Sequence, residues 1–157
     1  MTYFRLPLYS TATAIALTAA SAASATDLTF TANLVNVCIL SVNQQGTLAA
    51  TTDGKTLSSE ASGGAPAALA VVAVGTNPTI SFTAPSLQSP SGWTGSPTTS
   101  IKYQSTSGAN RAYTTAASNA PIGSLIDVFT VNSKVDSTTG FIGGQYVVRT
   151  TVTCQQP

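Results

Sequence analysis

The stretch that decides the fold is residues 28–42, LTFTANLVNVCILSV, in which apolar and polar side chains alternate. The apolar positions of this alternation are even-numbered: Leu28, Phe30, Ala32, Leu34, Cys38, Leu40 and Val42. A period of two places such side chains on one face of an extended strand. Val35, Val37 and Ile39 make the other face apolar as well. We therefore predict a long first strand whose middle is covered on both sides.

The first 25 residues have the layout of a secretory signal peptide. Arg5 is followed by a weakly apolar run over residues 11–20 and by Ala23-Ser24-Ala25, which fits the small-residue pattern of a cleavage site. A membrane span needs about 20 strongly apolar residues, and this run is shorter and interrupted by threonine. We expect residues 1–25 to be removed and residues 26–157 to form one secreted domain. Its route would lead through the periplasm to the cell surface.

Composition argues against most kinds of active site. Only 7% of the 157 residues are charged and there is no histidine, whereas an average soluble domain has about 25% charged residues. Without histidine there is no Ser-His-Asp triad and no HExxH metal helix. The nearly neutral balance of charge provides no basic surface for nucleic acid. We expect no enzymatic activity, no cofactor and no metal site. Removal of Arg5 would leave five basic and five acidic residues.

The alternation of the first strand returns at the C-terminal end of the chain. Tyr146, Val148, Val152 and Cys154 share one parity and alternate with polar residues. Cys38 and Cys154 thus lie on the apolar faces of their strands, and a secreted protein with two cysteines by default forms one disulfide. Because a disulfide needs Cα atoms within about 7 Å, it would bring the first and last strands together. Two buried free thiols remain the alternative.

Between the two ends lie four further strand candidates, each bounded by Gly, Pro, Asn or Ser residues that favour turns. They are residues 69–74, 79–84, 98–104 and 125–135. Short strands with such boundaries are typical of a sandwich or barrel. The glycine-containing loop 136–140 predicts a hairpin between the last two strands. Residues 43–66 and 105–123 have no assignable pattern.

Two single residues outside this pattern are candidates for a site. Trp93 could offer its ring to a sugar as a ligand contact, or fold back over the end of the core, which we favour. Asp127 lies among Leu125, Ile126, Val128 and Phe129 and could be a buried carboxylate with a shifted pKa. The interpretation that we favour places it on an edge strand, facing solvent.

Residues 28–42 and the closing stretch 144–154, GQYVVRTTVTC, resemble the two ends of bacterial chaperone-usher pilins, especially those of the spore coat protein U type. The position of Cys154 near the C-terminus departs from many of these pilins, whose second cysteine comes early. The resemblance implies an immunoglobulin-like antiparallel β-sandwich that lacks one strand. A neighbouring copy would fill the gap by β-strand addition.

The resemblance also implies roles for particular residues. The donor strand, within residues 26–36, would present Leu28, Phe30, Ala32 and Leu34. The C-terminal strand would present Tyr146, Val148 and Val152, first to a periplasmic chaperone and then, after delivery to an outer-membrane usher, to the donor strand.

Three functions follow from these expectations. The first is a structural subunit of a surface filament, a pilus or fimbria, and the second is a monomeric secreted binding module or adhesin that uses Trp93. The third, a secreted enzyme, has the fewest candidate residues. Whether residues 28–42 are donated to a neighbour or kept as the first strand of a complete sandwich stays open.

Overall fold

The structure is a computed structural model that describes residues 29–33 and 35–156. The predicted signal peptide, Leu28 and Leu34 therefore lie outside the described residues. The chain divides into two units, Met1–Ala32 and Asn33–Pro157, and the fold below is that of the second unit. Among the described residues there is no helix, so none that could cross a membrane.

Within residues 35–156, twelve strands make the fold all-β. In chain order they are β1 (Val37–Gln44), β2 (Ala49–Ala50), β3 (Thr56–Ser58), β4 (Ala67–Val74), β5 (Thr79–Phe82), β6 (Ser86–Gln88), β7 (Pro97–Ser105), β8 (Asn110–Thr114), β9 (Ser118–Pro121), β10 (Ile126–Ser137), β11 (Val147–Arg149) and β12 (Val152–Gln155). The strands predicted from the sequence in the middle of the chain correspond to β4, β5, β7 and β10, which confirms those four predictions.

The larger sheet is built around the long strand β10. One edge of β10 pairs with β4 and then with β3, and its other edge pairs with β7. β1 extends the sheet beyond β4, β2 extends it beyond β3, and β8 extends it beyond β7. All of these pairings are antiparallel.

The second layer consists of two short sheets that continue one another. In one sheet β5 lies between β12 and β9, and in the other β11 pairs with β6. The backbone N–H of Thr83 donates to the carbonyl of Thr151 at 3.0 Å, and the Thr151 N–H donates to Thr83 Oγ1 at 2.9 Å. These hydrogen bonds continue the pairing between the two chain segments from one short sheet to the other.

The core lies between the two layers. Phe82 of β5 stacks on Tyr103 of β7 with ring centroids 4.5 Å apart, and both rings approach Phe129 of β10 at 6.0 Å. Val71 and Ile80 are fully buried beside them. Each side chain of this size contributes about 1.5–3 kcal/mol on burial, so these contacts hold the layers together in a sandwich-like arrangement.

The disulfide joins the two layers at one end of β1. Cys38 of β1 is bonded to Cys154 of β12, with the two Cα atoms 6.2 Å apart. Both residues are half-buried and pack against the core, so the parity argument and the predicted pairing are confirmed. Beside them the Gln156 side-chain amide donates to the carbonyls of Val37 and Val74. The first and last strands are therefore tied together at this end.

Two other predictions are wrong. The first strand begins at Val37, and its second face is not covered, since Ile39 is 56% exposed. The loop 136–140 does not form a hairpin, because β10 and β11 belong to different layers. Both edges of β10 are already hydrogen-bonded, one to β4 and β3 and the other to β7, so no edge is left for β11.

Candidate functional site

An open groove separates the two layers beyond the disulfide. Its volume is about 840 Å³. One wall is formed by Val42 and the loop residues 45–48, and the other by residues 145–152. The core residues Leu69, Phe82 and Ile101 also line the groove and form its base.

The groove exists because β1 is covered along only part of its length. Cys38 and Leu40 are half-buried, and Val42 has the same parity. Val42 pairs in register with the buried Leu69, so its side chain faces the same side of the sheet. Val42 is nevertheless 58% exposed. An apolar side chain on the inner face therefore lacks a covering strand.

Strand edges of the described residues also border this opening. Within residues 35–156, β1 pairs only with β4, β11 only with β6, and β12 only with β5. The groove thus lies between two sheet edges, one on each layer. A strand edge with unpaired N–H and C=O groups is a template for another strand.

The groove is almost uncharged. Of the described residues that line it, Arg149 alone carries a charge, and its side chain is exposed. The other polar groups are hydroxyls, amides and backbone. Such a site can accept an extended, apolar, uncharged segment, and it holds no acid-base pair for catalysis.

The structure brings the C-terminal candidate residues together at this groove. Tyr146, Val148 and Val152 all line it and are half-buried. The donor candidates are only partly described: Phe30 is 85% exposed and Ala32 is exposed, and neither is in a strand.

Trp93 belongs to an aromatic cluster. Its ring stacks on Phe141 with centroids 5.4 Å apart, and Tyr146 meets it edge-on at 5.3 Å. The indole N–H donates to the carbonyl of Gly140 at 3.0 Å. Phe141 thus occupies one face of the ring. Neither Phe141 nor Tyr146 belongs to the buried core, so the interpretation that Trp93 folds back over the end of the core stays a prediction.

Asp127 is fully buried, so the interpretation that it faces solvent from an edge strand is wrong. Strand β10 is internal to the larger sheet, and the parity of Asp127 is that of the core residue Phe129. Thr106 Oγ1 donates to its carboxylate at 2.9 Å, the Ser107 N–H donates at 3.0 Å, and the Ser107 hydroxyl donates as well. Burial alone would raise the pKa, but these hydrogen bonds hold the pKa of Asp127 below its usual value.

The sequence analysis missed a cluster of charged residues on the outer face of the larger sheet. Lys102 Nζ lies 2.6 Å from Glu60, and the ammonium groups of Lys102 and Lys134 lie 5.2 and 5.4 Å from the Tyr113 ring centroid. Lys134 also forms an ion pair with Asp136 at 2.9 Å. The outward parity of Lys134 and Asp136 on β10 was the available signal.

Protonation in this cluster follows its hydrogen bonds. Burial, together with the hydrogen bond to Glu60, raises the pKa of Tyr113 to about 12. Hydrogen bonds from Lys102 and Tyr113 lower the pKa of Glu60. At neutral pH Tyr113 therefore stays protonated and donates its hydroxyl to the ionised Glu60. Such an arrangement is typical of a structural hydrogen-bond network. Among the described residues no group of three His, Cys, Asp or Glu side chains is placed to hold a metal ion.

Comparison of the chain with protein-family models, curated protein sequences and solved structures found no match.

Proposed function

We propose that the protein is a structural subunit of a surface filament whose copies join head to tail by β-strand addition. The groove of one copy would receive residues 28–34 of the next. The observation that carries this proposal is the exposure of Val42 on the inner face of β1, above a base of core side chains and between two unpaired strand edges.

The length and pattern of the donor segment suit the groove. Seven extended residues span about 23 Å, and one wall of the groove is formed by the eight residues 145–152. Leu28, Phe30, Ala32 and Leu34 would point to the same side and enter the groove. Residues 28–34 carry no charge, which matches the nearly uncharged lining.

A neighbouring copy is a better source of the strand than the same chain. Residues 28–34 are connected through Val35 and Asn36 to the start of β1 at Val37, next to the Cys38–Cys154 disulfide and the Gln156 hydrogen bonds. These links close the space between β1 and β12 at that end. The groove opens at the other end of β1, beside Val42.

Strand addition would make a stable and repeating contact. Burial of Leu28, Phe30 and Leu34 would contribute about 1.5–3 kcal/mol each, and burial of Ala32 less. Together with two rows of backbone hydrogen bonds, this gives a contact that dissociates slowly. Because the donor and the groove are different surfaces, the contact is heterologous and propagates into a filament.

An unassembled subunit with this groove would need protection. Exposed strand edges beside an apolar base invite aggregation. We propose that a periplasmic chaperone covers the edge formed by β11 and β12 until an outer-membrane usher passes the subunit to its neighbour, as the resemblance implies.

The test is the substitution Phe30→Asp, which places a charge in the donor segment. Extracts of cells expressing the parent chain should give a ladder of multimers on an unheated SDS gel, and Phe30→Asp should give monomers, because a charge is costly to bury.

Thr31→Asp is the matched control, since residue 31 would face away from the groove. The ladder should survive this change. A parent chain that runs only as a monomer would contradict the proposal and favour a monomeric binding module.

A further inference from the structure

An exposed apolar patch lies on the outer face of the larger sheet. Ile39, Val72 and Ile126 form its centre, and the exposed Val35 and Leu125 precede β1 and β10 by two residues and one residue. These five residues are called the apolar patch below. Val35, Ile39, Leu125 and Ile126 are each more than half exposed, and Val72 is half-buried.

The strand register aligns the centre of this patch. Val72 of β4 pairs with Ile39 of β1 on one side and with Ile126 of β10 on the other. Cross-strand partners point to the same face of a sheet. Their chain neighbours Val71 and Asp127 are fully buried on the inner face, so the row Ile39, Val72 and Ile126 faces outward.

The patch occupies one end of this face and the charged cluster occupies the other. The outward residues of β10 run from apolar through polar to charged: Ile126, Val128, Thr130, Asn132, Lys134 and Asp136. Charges that keep a sheet face in water are therefore concentrated away from the patch.

The four residues that are more than half exposed together present a few hundred Å² of apolar surface to solvent. A patch of that area on a monomer is often an interaction surface.

The chain's own connectivity indicates what covers it. Val35 directly follows the proposed donor segment, and adjacent Cα atoms are 3.8 Å apart. When Leu34 enters a neighbour's groove, the rim of that groove must therefore come within one or two residues of Val35. Strand β1, which carries Ile39 of the patch, begins two residues after Val35.

We propose that the apolar patch is a second contact between consecutive copies, covered by the same copy that accepts residues 28–34. This inference rests on the proposed function. The donor segment alone would connect subunits only through residues 35 and 36, which precede β1. A patch contact beside the point where the donor segment leaves would fix the angle between subunits and stiffen the filament.

The test compares Ile126→Cys with Ile142→Cys in assembled filaments of the full chain, using a maleimide that reacts with exposed thiols. Ile142 is also exposed, in the loop before β11, and lies outside the patch. In filaments, Ile126→Cys should react at least about tenfold more slowly than Ile142→Cys, since the core of an interface excludes solvent. In subunits kept unassembled by Phe30→Asp, the two variants should react at similar rates.

A second variant gives an independent measurement. Ile126→Asn should keep the SDS-resistant ladder but give visibly more curved filaments in electron micrographs, whereas Ile142→Asn should leave them straight.

Failure of the two proposals can be told apart. Equal labelling in filaments, with the ladder intact, overturns the second contact and leaves strand addition in place. Absence of a ladder from the parent chain overturns both.

Discussion

At the scale of single residues, Asp127 shows how a charge can serve the fold. Its carboxylate accepts three hydrogen bonds from Thr106 and Ser107, in the turn between β7 and β8. The Thr106 hydroxyl also accepts from the Val128 N–H at 3.0 Å. Asp127 thus attaches this turn to the beginning of β10.

Replacing this carboxylate should weaken the fold. Asp127→Asn removes the charge and turns one acceptor oxygen into a donor amide that faces the Ser107 hydroxyl. We expect the free energy of unfolding to fall by about 1–3 kcal/mol. Denaturant titration would measure the loss, and Asp53→Asn, at an exposed turn, is the control, expected to change stability by less. An unchanged midpoint for Asp127→Asn would contradict the assigned role.

The same group predicts a pH dependence. The pKa of Asp127 is lowered in the folded state, so its stabilisation is present above the unfolded value of about 3.9. That stabilisation is lost as pH falls through the lower, folded pKa. Asp53, Glu60 and Asp136 also have lowered pKa values and contribute in the same direction. Unfolding measured between neutral and strongly acidic pH should therefore show a shallower acid loss in Asp127→Asn than in the parent. Identical slopes would argue against it.

At the scale of elements, β1 has two halves with different surroundings. The first half is tied to β12 through the disulfide and Gln156. In the second half, Val42 forms part of one wall of the groove. The covalent link therefore holds the sandwich closed at one end while the other end stays open.

Removing the disulfide should lower stability through the unfolded state. The bridge spans 116 residues, and a loop of about 100 residues corresponds to at most about 4.7 kcal/mol of lost chain entropy. We expect Cys38→Ala combined with Cys154→Ala to lower the free energy of unfolding by about 2–4 kcal/mol. Denaturant titration of oxidised protein tests this.

Reduction of the parent chain is the matched control for the cross-link itself, because it leaves both side chains in place. A double variant as stable as the oxidised parent would show that the bridge contributes nothing.

At the scale of the whole molecule, the fold resembles a sandwich with one place left open. The core beside the groove is complete enough to bury Phe82 and Ile101, yet the inner face of β1 ends in an exposed Val42. An added strand would cover that residue and pair both free edges.

A peptide with the sequence of residues 28–34 should therefore stabilise the subunit. Added to Phe30→Asp monomers at about a hundred times its dissociation constant, it should raise the free energy of unfolding by about 2.7 kcal/mol. Thermal unfolding with and without peptide would measure this. A peptide with aspartate at the position of Phe30 is the control, and equal effects of the two peptides would contradict groove binding.

Much of the fold could be predicted from local patterns. Strands β4, β5, β7 and β10 follow from alternation and turn residues. The disulfide was predicted from two cysteines in a chain expected to be secreted, and the positions of Cys38 and Cys154 on the apolar faces of their strands agreed with it. Alternation and turn residues are local features of the sequence, so they can be recognised without knowing which distant residues are in contact.

The candidate site could be predicted only in part. The sequence predicted that Tyr146, Val148 and Val152 share one face, and all three line the groove, but the groove itself was not visible in the sequence. A groove arises where two sheet edges stay apart, which depends on how strands from distant parts of the chain pair. The outward gradient along β10 could have indicated the charged cluster, but only after the inner face of β10 was known.

The sequence by itself determined the all-β class, the faces of the main strands and the cysteine pair, because each follows from local alternation and residue chemistry. The tertiary structure alone decided that β10 and β11 belong to different layers, that Asp127 is buried beneath the turn between β7 and β8, and that Val42 is left uncovered. The physical reason is that strand partners and burial are set by contacts between residues far apart in the chain, which no local pattern specifies.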